Sequence, residues 1–350
     1  MRTIFLLFNT ILLAIGNCGG PLLLRLYFLR GGARLWFSTW LQTAAWPVVF
    51  IPLLISYLRR RRRRSDVDSN TKFFLMTPCL FISGALIGLL VGLMNYLYTY
   101  GVAKLPVSTS SLIVSSQLAF TALFAFFLVK QHFTAFSVNS IVLLTAGAVV
   151  LGLRAGNDRP AGESNKEYGL GFVLTLGSAA LYGLIMPLVE LIYNKANTPI
   201  GYILVLEFQM VVSLAATLFC SVGMFINHDF QVIPREAREF ELGAAKYYIL
   251  VICSGIIFQF FLIGALGVIC YGSSLLSVVI NTVLLPVTEL LAVILFHEKF
   301  QPEKGVSLFL CLWGFVSYFY GEMKRNKDME EKEKNQTPQT TEMTPTSHVA

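Results

Sequence analysis

Apolar stretches long enough to cross a bilayer recur along this chain, each bounded by a few polar or turn-forming residues. A hydrocarbon core takes about 20 apolar residues of helix, and stretches of that order lie near residues 4–28, 36–58, 75–101, 107–129, 135–153, 168–193, 200–226, 246–268, 273–296 and 303–321. The pattern predicts an all-α polytopic membrane protein with about ten transmembrane helices. Two connections, Arg154 to Glu167 and Asn227 to Ala245, read as polar loops. Gly84, Gly88 and Gly92 recur every fourth residue, the spacing of close helix contact. Gly16-Asn17-Cys18-Gly19-Gly20-Pro21 predicts a break in the first helix at membrane depth, a feature tolerated only against protein or a cavity.

Composition supports the membrane assignment. Of 350 residues, 55% are hydrophobic and only 13% charged, against roughly 25% charged in ordinary globular domains. The run Arg59 to Arg64 follows the second span, and short loops rich in Arg and Lys stay cytoplasmic. With an even number of spans, both termini are expected on that side. The net charge of +7 rests largely on this run, so it indicates topology and contact with the lipid bilayer, not nucleic-acid binding. Six cysteines without a CxxC pair predict neither a zinc site nor a disulfide framework. No metal and no cofactor are expected. The tail from residue 322 onward mixes Lys, Glu, Thr and Pro without apolar periodicity and is expected to be disordered and cytoplasmic.

Ten spans divide into two fives, a first half over 1–154 and a second over 155–321. Lys130-Gln131-His132-Phe133-Thr134 after the fourth span echoes His297-Glu298-Lys299-Phe300-Gln301 after the ninth. An odd-numbered repeat inserts in opposite senses, and inverted repeats are characteristic of secondary transporters, whose substrate binds near the midplane.

Walker, HExxH and GxSxG signatures are missing, which removes support for an ATP-driven pump or an enzyme. Polar residues inside apolar helices remain. Glu190 and Glu289 each follow a proline by three residues, at Pro187 and Pro286. A buried carboxylate one turn from a kink can take up and release protons, so both are candidate proton-coupling groups. Each acid can equally cap or brace a neighbouring helix, and Glu207 carries the same ambiguity. Asn95, Gln117, Gln259 and Asn281 offer donor and acceptor together, as the edge of a heterocyclic base requires, and Tyr96, Tyr98, Tyr100 and Tyr182 offer ring faces. Interhelical bonding is the alternative for the amides, and an interfacial belt for the tyrosines.

Several motifs together resemble the plant purine permease family. They are Asn17-Cys18-Gly19-Gly20-Pro21 with Arg25-Leu26-Tyr27-Phe28, Asn95-Tyr96-Leu97-Tyr98, Leu105-Pro106-Val107-Ser108-Thr109-Ser110-Ser111-Leu112, Pro187-Leu188-Val189-Glu190-Leu191, and Trp313-Gly314-Phe315-Val316-Ser317-Tyr318. The likeness spans nearly all of the helical core. It implies a member of the drug/metabolite transporter superfamily with two inverted five-helix repeats. It also implies import of adenine, related purines and cytokinins, with protons as co-substrate and the plasma membrane as location. The family motif places Asn95, Tyr98, Ser110 and Glu190 at matching positions. Rival readings are another small solute on the same fold, such as an alkaloid, nucleoside or nucleotide sugar, or a membrane receptor or scaffold that does not transport. A homo-oligomer is left open.

Overall fold

The computed structural model describes residues 2–63, 74–104, 113–114, 116–131, 133–153, 165–196, 200–296 and 302–336. Among these residues the regular structure is helical: α1 (Arg2–Leu29), α2 (Leu35–Leu41), α3 (Pro47–Arg63), α4 (Pro78–Lys104), α5 (Gln117–Val129), α6 (Ala135–Leu153), α7 (Asn165–Asn194), α8 (Tyr202–Ile226), α9 (Asp229–Glu239), α10 (Ala244–Tyr271), α11 (Ser274–Phe296) and α12 (Pro302–Gln336). Seven of the helices described, α1, α4, α7, α8, α10, α11 and α12, contain a stretch long and apolar enough to cross a membrane. The apolar portions of α5 and α6 are shorter. Large apolar side chains point outward along them, with Phe225 75% and Ile294 68% exposed. A protein solvated by acyl chains tolerates this, and one solvated by water rarely does.

Two expectations about the first two spans are corrected. The Gly-rich stretch does not break α1, which runs continuously through Pro21. Its glycines serve instead as a notch for α10: a Cβ at Gly16 would stand 2.2 Å from the backbone nitrogen of Phe261. Gly264 answers from the other helix, where a Cβ would meet the backbone nitrogen of Leu13 at 2.3 Å. The break falls in the expected second span, between α2 and α3. Pro47 opens α3, where its missing N–H costs no helical bond, and residues 42–46 form turns that leave the carbonyl of Thr43 to the side chain of Gln259, whose Nε2 donates to it at 2.9 Å. Non-helical backbone at membrane depth needs such a partner.

The Gly84, Gly88 and Gly92 row lies against α8, with a Cβ at Gly88 only 2.4 Å from the carbonyl oxygen of Val212. At the start of α4, Glu207 of α8 accepts from the backbone N–H of Leu75 (2.9 Å) and Met76 (2.9 Å). This acid therefore fixes where α4 begins.

The connection expected as a polar loop at 227–245 contains helix α9. Tyr27 at the end of α1 donates its hydroxyl to Glu236 of α9, Arg30 meets Glu241 at 3.0 Å, and Arg34 faces the buried Asp229 at 3.7 Å. Burial pushes the Glu236 carboxyl upward, against the opposing pull of the Tyr27 hydrogen bond and the Arg34 charge. The exposed Arg30–Glu241 pair adds little, so the clamp on α1 rests on the buried groups.

Candidate functional site

Residues one helical turn apart share a face, and five helices turn such faces toward one cavity of about 160 Å³. Asn17 and Pro21 come from α1, Val91, Asn95 and Tyr98 from α4, and Ser178, Tyr182 and Ile185 from α7. Phe258 and Phe261 come from α10, with Asn281 and Leu285 from α11. Gln117 enters from the first residue of α5, and Gln42 from the break between α2 and α3. Asn95, Tyr98, Gln117, Tyr182 and Asn281, separated widely in sequence, are thus brought together.

The polar atoms divide into those already bonded and those left over. Asn17 Nδ2 donates to the carbonyl oxygen of Asn281 at 3.1 Å and ties α1 to α11. Ser178 Oγ donates to the carbonyl of Met94 at 3.1 Å, tying α7 to α4. By contrast, the Tyr182 hydroxyl and Asn281 Oδ1 are buried with no hydrogen-bond partner. An orphaned polar atom in a dry site costs about 1–3 kcal/mol, and both belong to residues that line this cavity, so a ligand that offers an acceptor and a donor would relieve them. No charged side chain lines the cavity among the described residues. The volume is close to the ~150 Å³ of an apolar cavity that takes benzene. A flat ring system is nearer that scale than a nucleotide is.

Other sequence candidates stand elsewhere. Gln259 is fully buried outside the cavity, where its Oε1 accepts from Gln209 (3.2 Å) and Ser213 (3.3 Å) while its Nε2 holds the Thr43 carbonyl. Tyr96 stacks on Trp36 of α2, ring centroids 4.0 Å apart, and Tyr100 leans on Tyr96. Glu190 on α7 is half-buried, and its Oε2 accepts from the backbone N–H of Ser274 at 2.6 Å, at the first residue of α11. Glu289 falls on α11 one turn past Pro286. Ser110 lies outside the described residues, as do 154–164 and 337–350.

Gln42 is a lining residue that sequence reasoning missed. Its Nε2 is 3.4 Å from both the Ser38 carbonyl and the Thr99 hydroxyl, long for hydrogen bonds and easily exchanged. The available signal was a Gln-Thr pair five residues before Pro47 inside an otherwise apolar run.

Comparison with known proteins gives a consistent picture. A family model for purine nucleobase transmembrane transport matches residues 4–328. The chain is 54% identical to Purine permease 3 of Arabidopsis thaliana over 342 residues, covering 97% of each. It is 54% identical to Purine permease 2 of the same plant over 361 residues, covering 100% of this chain and 99% of that one. One solved crystal structure shares the fold at a TM-score of 0.55 and 17% identity, covering 92% of this chain and 98% of the other.

Proposed function

Because the chain belongs to the purine permease family, a family of membrane transporters and not of enzymes, we propose that it imports adenine and adenine-derived cytokinins by proton symport with alternating access. The observation that carries the substrate reading is the cavity itself. Its aromatic walls suit a purine ring, the unpaired Tyr182 hydroxyl and Asn281 Oδ1 suit the ring's acceptors and amino or N–H donors, and the lack of lining charge suits a neutral solute.

The helix contacts support a ten-span reading in two five-helix repeats. If α2 and α3 count as one broken span and α9 lies outside the membrane, the halves are α1, α2–α3, α4, α5, α6 and α7, α8, α10, α11, α12. Exchanging the halves turns the α1–α10 contact into α7–α4 and the α1–α11 contact into α7–α5, all four of which occur. It leaves α6–α12, α5–α11 and α2–α8 mapped onto themselves, and these occur too. That exchange is what a pseudo-two-fold axis produces, and an odd number of spans in each half would put the axis in the membrane plane.

In the orientation set by the Arg run both termini are cytoplasmic, and the proposed import into the cell puts the protein in the plasma membrane. A tag at Ala350 is expected to be cytoplasmic and one near Asn157 external. Protease or label accessibility on sealed cells checks this, and finding both tags on one side would overturn the orientation.

The function is tested by uptake of labelled adenine and cytokinin into proteoliposomes, with and without an imposed pH gradient. Replacing Asn95, Gln117 or Asn281 by Leu removes a partner for a desolvated polar atom of the base, a loss of about 1–3 kcal/mol, or roughly 5- to 150-fold in apparent affinity. The Asn281 variant is informative because the Asn17 bond goes to the backbone carbonyl and survives the change. Unchanged affinity in all three would place recognition elsewhere, and no uptake of any purine by the wild type would remove the substrate reading.

A further inference from the structure

Among the amides that line the central cavity, Gln42 differs in its mounting. Asn17, Asn95, Gln117 and Asn281 belong to helices, whereas Gln42 stands on the turn at 42–46 between α2 and α3. That turn is fixed from outside the cavity: Gln259 Nε2 donates to the Thr43 carbonyl at 2.9 Å, and Gln259 Oε1 accepts from Gln209 Nε2 at 3.2 Å, all three residues being buried. Gln42 is itself only 8% exposed, yet its carboxamide is loosely engaged. Nε2 lies 3.4 Å from the Ser38 carbonyl and 3.4 Å from the Thr99 hydroxyl, at the outer limit of a hydrogen bond, and Oε1 accepts none among the described residues. A firm mount thus carries a side chain whose donor and acceptor are both open to exchange.

We infer that Gln42 selects 6-aminopurines over 6-oxopurines, an assignment that rests on the purine reading proposed above. A carboxamide sets one acceptor beside one donor, the arrangement that meets the amino group and N7 of an adenine ring with two parallel hydrogen bonds. The same edge of a 6-oxopurine shows two acceptors, O6 and N7, and is matched by the donors of an Arg or Lys. No Arg or Lys lines the cavity among the described residues. A single carboxamide satisfies one of those acceptors and opposes the other with its own oxygen, a mismatch in either orientation of the amide. One alkyl substituent on the amino group still leaves an N–H, so adenine derivatives of that kind keep the match.

The test reads the melting midpoint of the full-length protein in phosphatidylcholine nanodiscs while adenine or hypoxanthine is titrated, which gives an apparent affinity for each base. The wild type is expected to bind adenine roughly 5- to 150-fold more tightly than hypoxanthine, the discrimination of one bidentate amide–base pair. Gln42→Met, close to glutamine in length and shape, should bring the two affinities together, chiefly by weakening adenine. A residue that served only to hold the turn would weaken both bases alike, since that loss does not depend on what stands at C6. The inference is overturned, with the purine reading intact, if the wild type binds the two bases equally or if Gln42→Met keeps the wild-type ratio. No shift by either base overturns the purine reading, and the inference with it. Should Gln42→Met not fold, Gln42→Ala is read by the same criteria, and the wild-type ratio remains a test by itself.

Discussion

Glu190→Gln is expected to abolish accumulation of substrate against a gradient while leaving downhill exchange intact. One pH unit corresponds to 1.36 kcal/mol, so a one-proton symporter can concentrate a neutral solute roughly tenfold per unit of imposed gradient. The variant should bring that ratio to about one. Glu190 accepts the Ser274 N–H at 2.6 Å, and the carbonyl of Gln can accept the same bond. What disappears is the charge at the N-terminus of α11, worth about 0.3–1 kcal/mol, too little to unfold the protein. The measurement therefore separates two roles for one carboxylate. A helix cap would tolerate the change with concentrative uptake preserved, and that result would move the proton path to other groups. Glu289→Gln, assayed in the same vesicles, then decides whether the second proline-linked acid carries it.

Gly264→Leu is expected to eliminate the folded transporter. The Cβ alone would stand 2.3 Å from the Leu13 backbone nitrogen, and 2.7 Å from the carbonyl oxygen of Asn9. These are main-chain atoms of α1 and cannot rotate away. Overpacking in a core typically costs 1–3 kcal/mol where side chains can yield, and here the helices must separate along their whole line of contact. Gly169, with no neighbour within 4 Å of an added Cβ, is the control: Gly169→Leu should leave the yield of monodisperse protein near wild type. Size-exclusion profiles of the two variants, expressed side by side, check the contrast. A normal profile for Gly264→Leu would mean that α1 and α10 are not seated as described.

Much of this architecture was legible in the hydropathy, because a bilayer-spanning helix must be apolar over a known length and little else in a sequence looks like that. The exceptions share a cause. Gly16 to Pro21 reads as a helix breaker from local propensity, yet propensity is overridden when the absent side chains make room for a partner helix. The break at 42–46 was invisible for the converse reason. Its freed Thr43 carbonyl is satisfied by Gln259, more than two hundred residues away, so the local sequence needs only Pro47 to permit the turn. The candidate cavity was legible in part, since Asn95, Gln117, Tyr182 and Asn281 are polar groups where apolar ones are cheaper. Whether a buried amide faces a cavity or a backbone carbonyl depends on tertiary placement. Gln259 and Gln42 show both outcomes.

The fastening of α1 governs how the molecule can move. It is seated against α10 through paired glycines, held at its start by the Arg2 contact to Tyr271, and clasped at its far end by α9 through Tyr27 and Glu236. A rod pinned at three stations cannot bend separately from its mount. On the other side of the cavity, α4 is locked to α8 by its own glycine row. The central cavity lies between these two blocks, drawing Asn281 from one side and Asn95 and Tyr182 from the other. Under the alternating access proposed above, a solute held by both sides would act as a removable hinge pin, coupling occupancy to the angle at which the blocks meet.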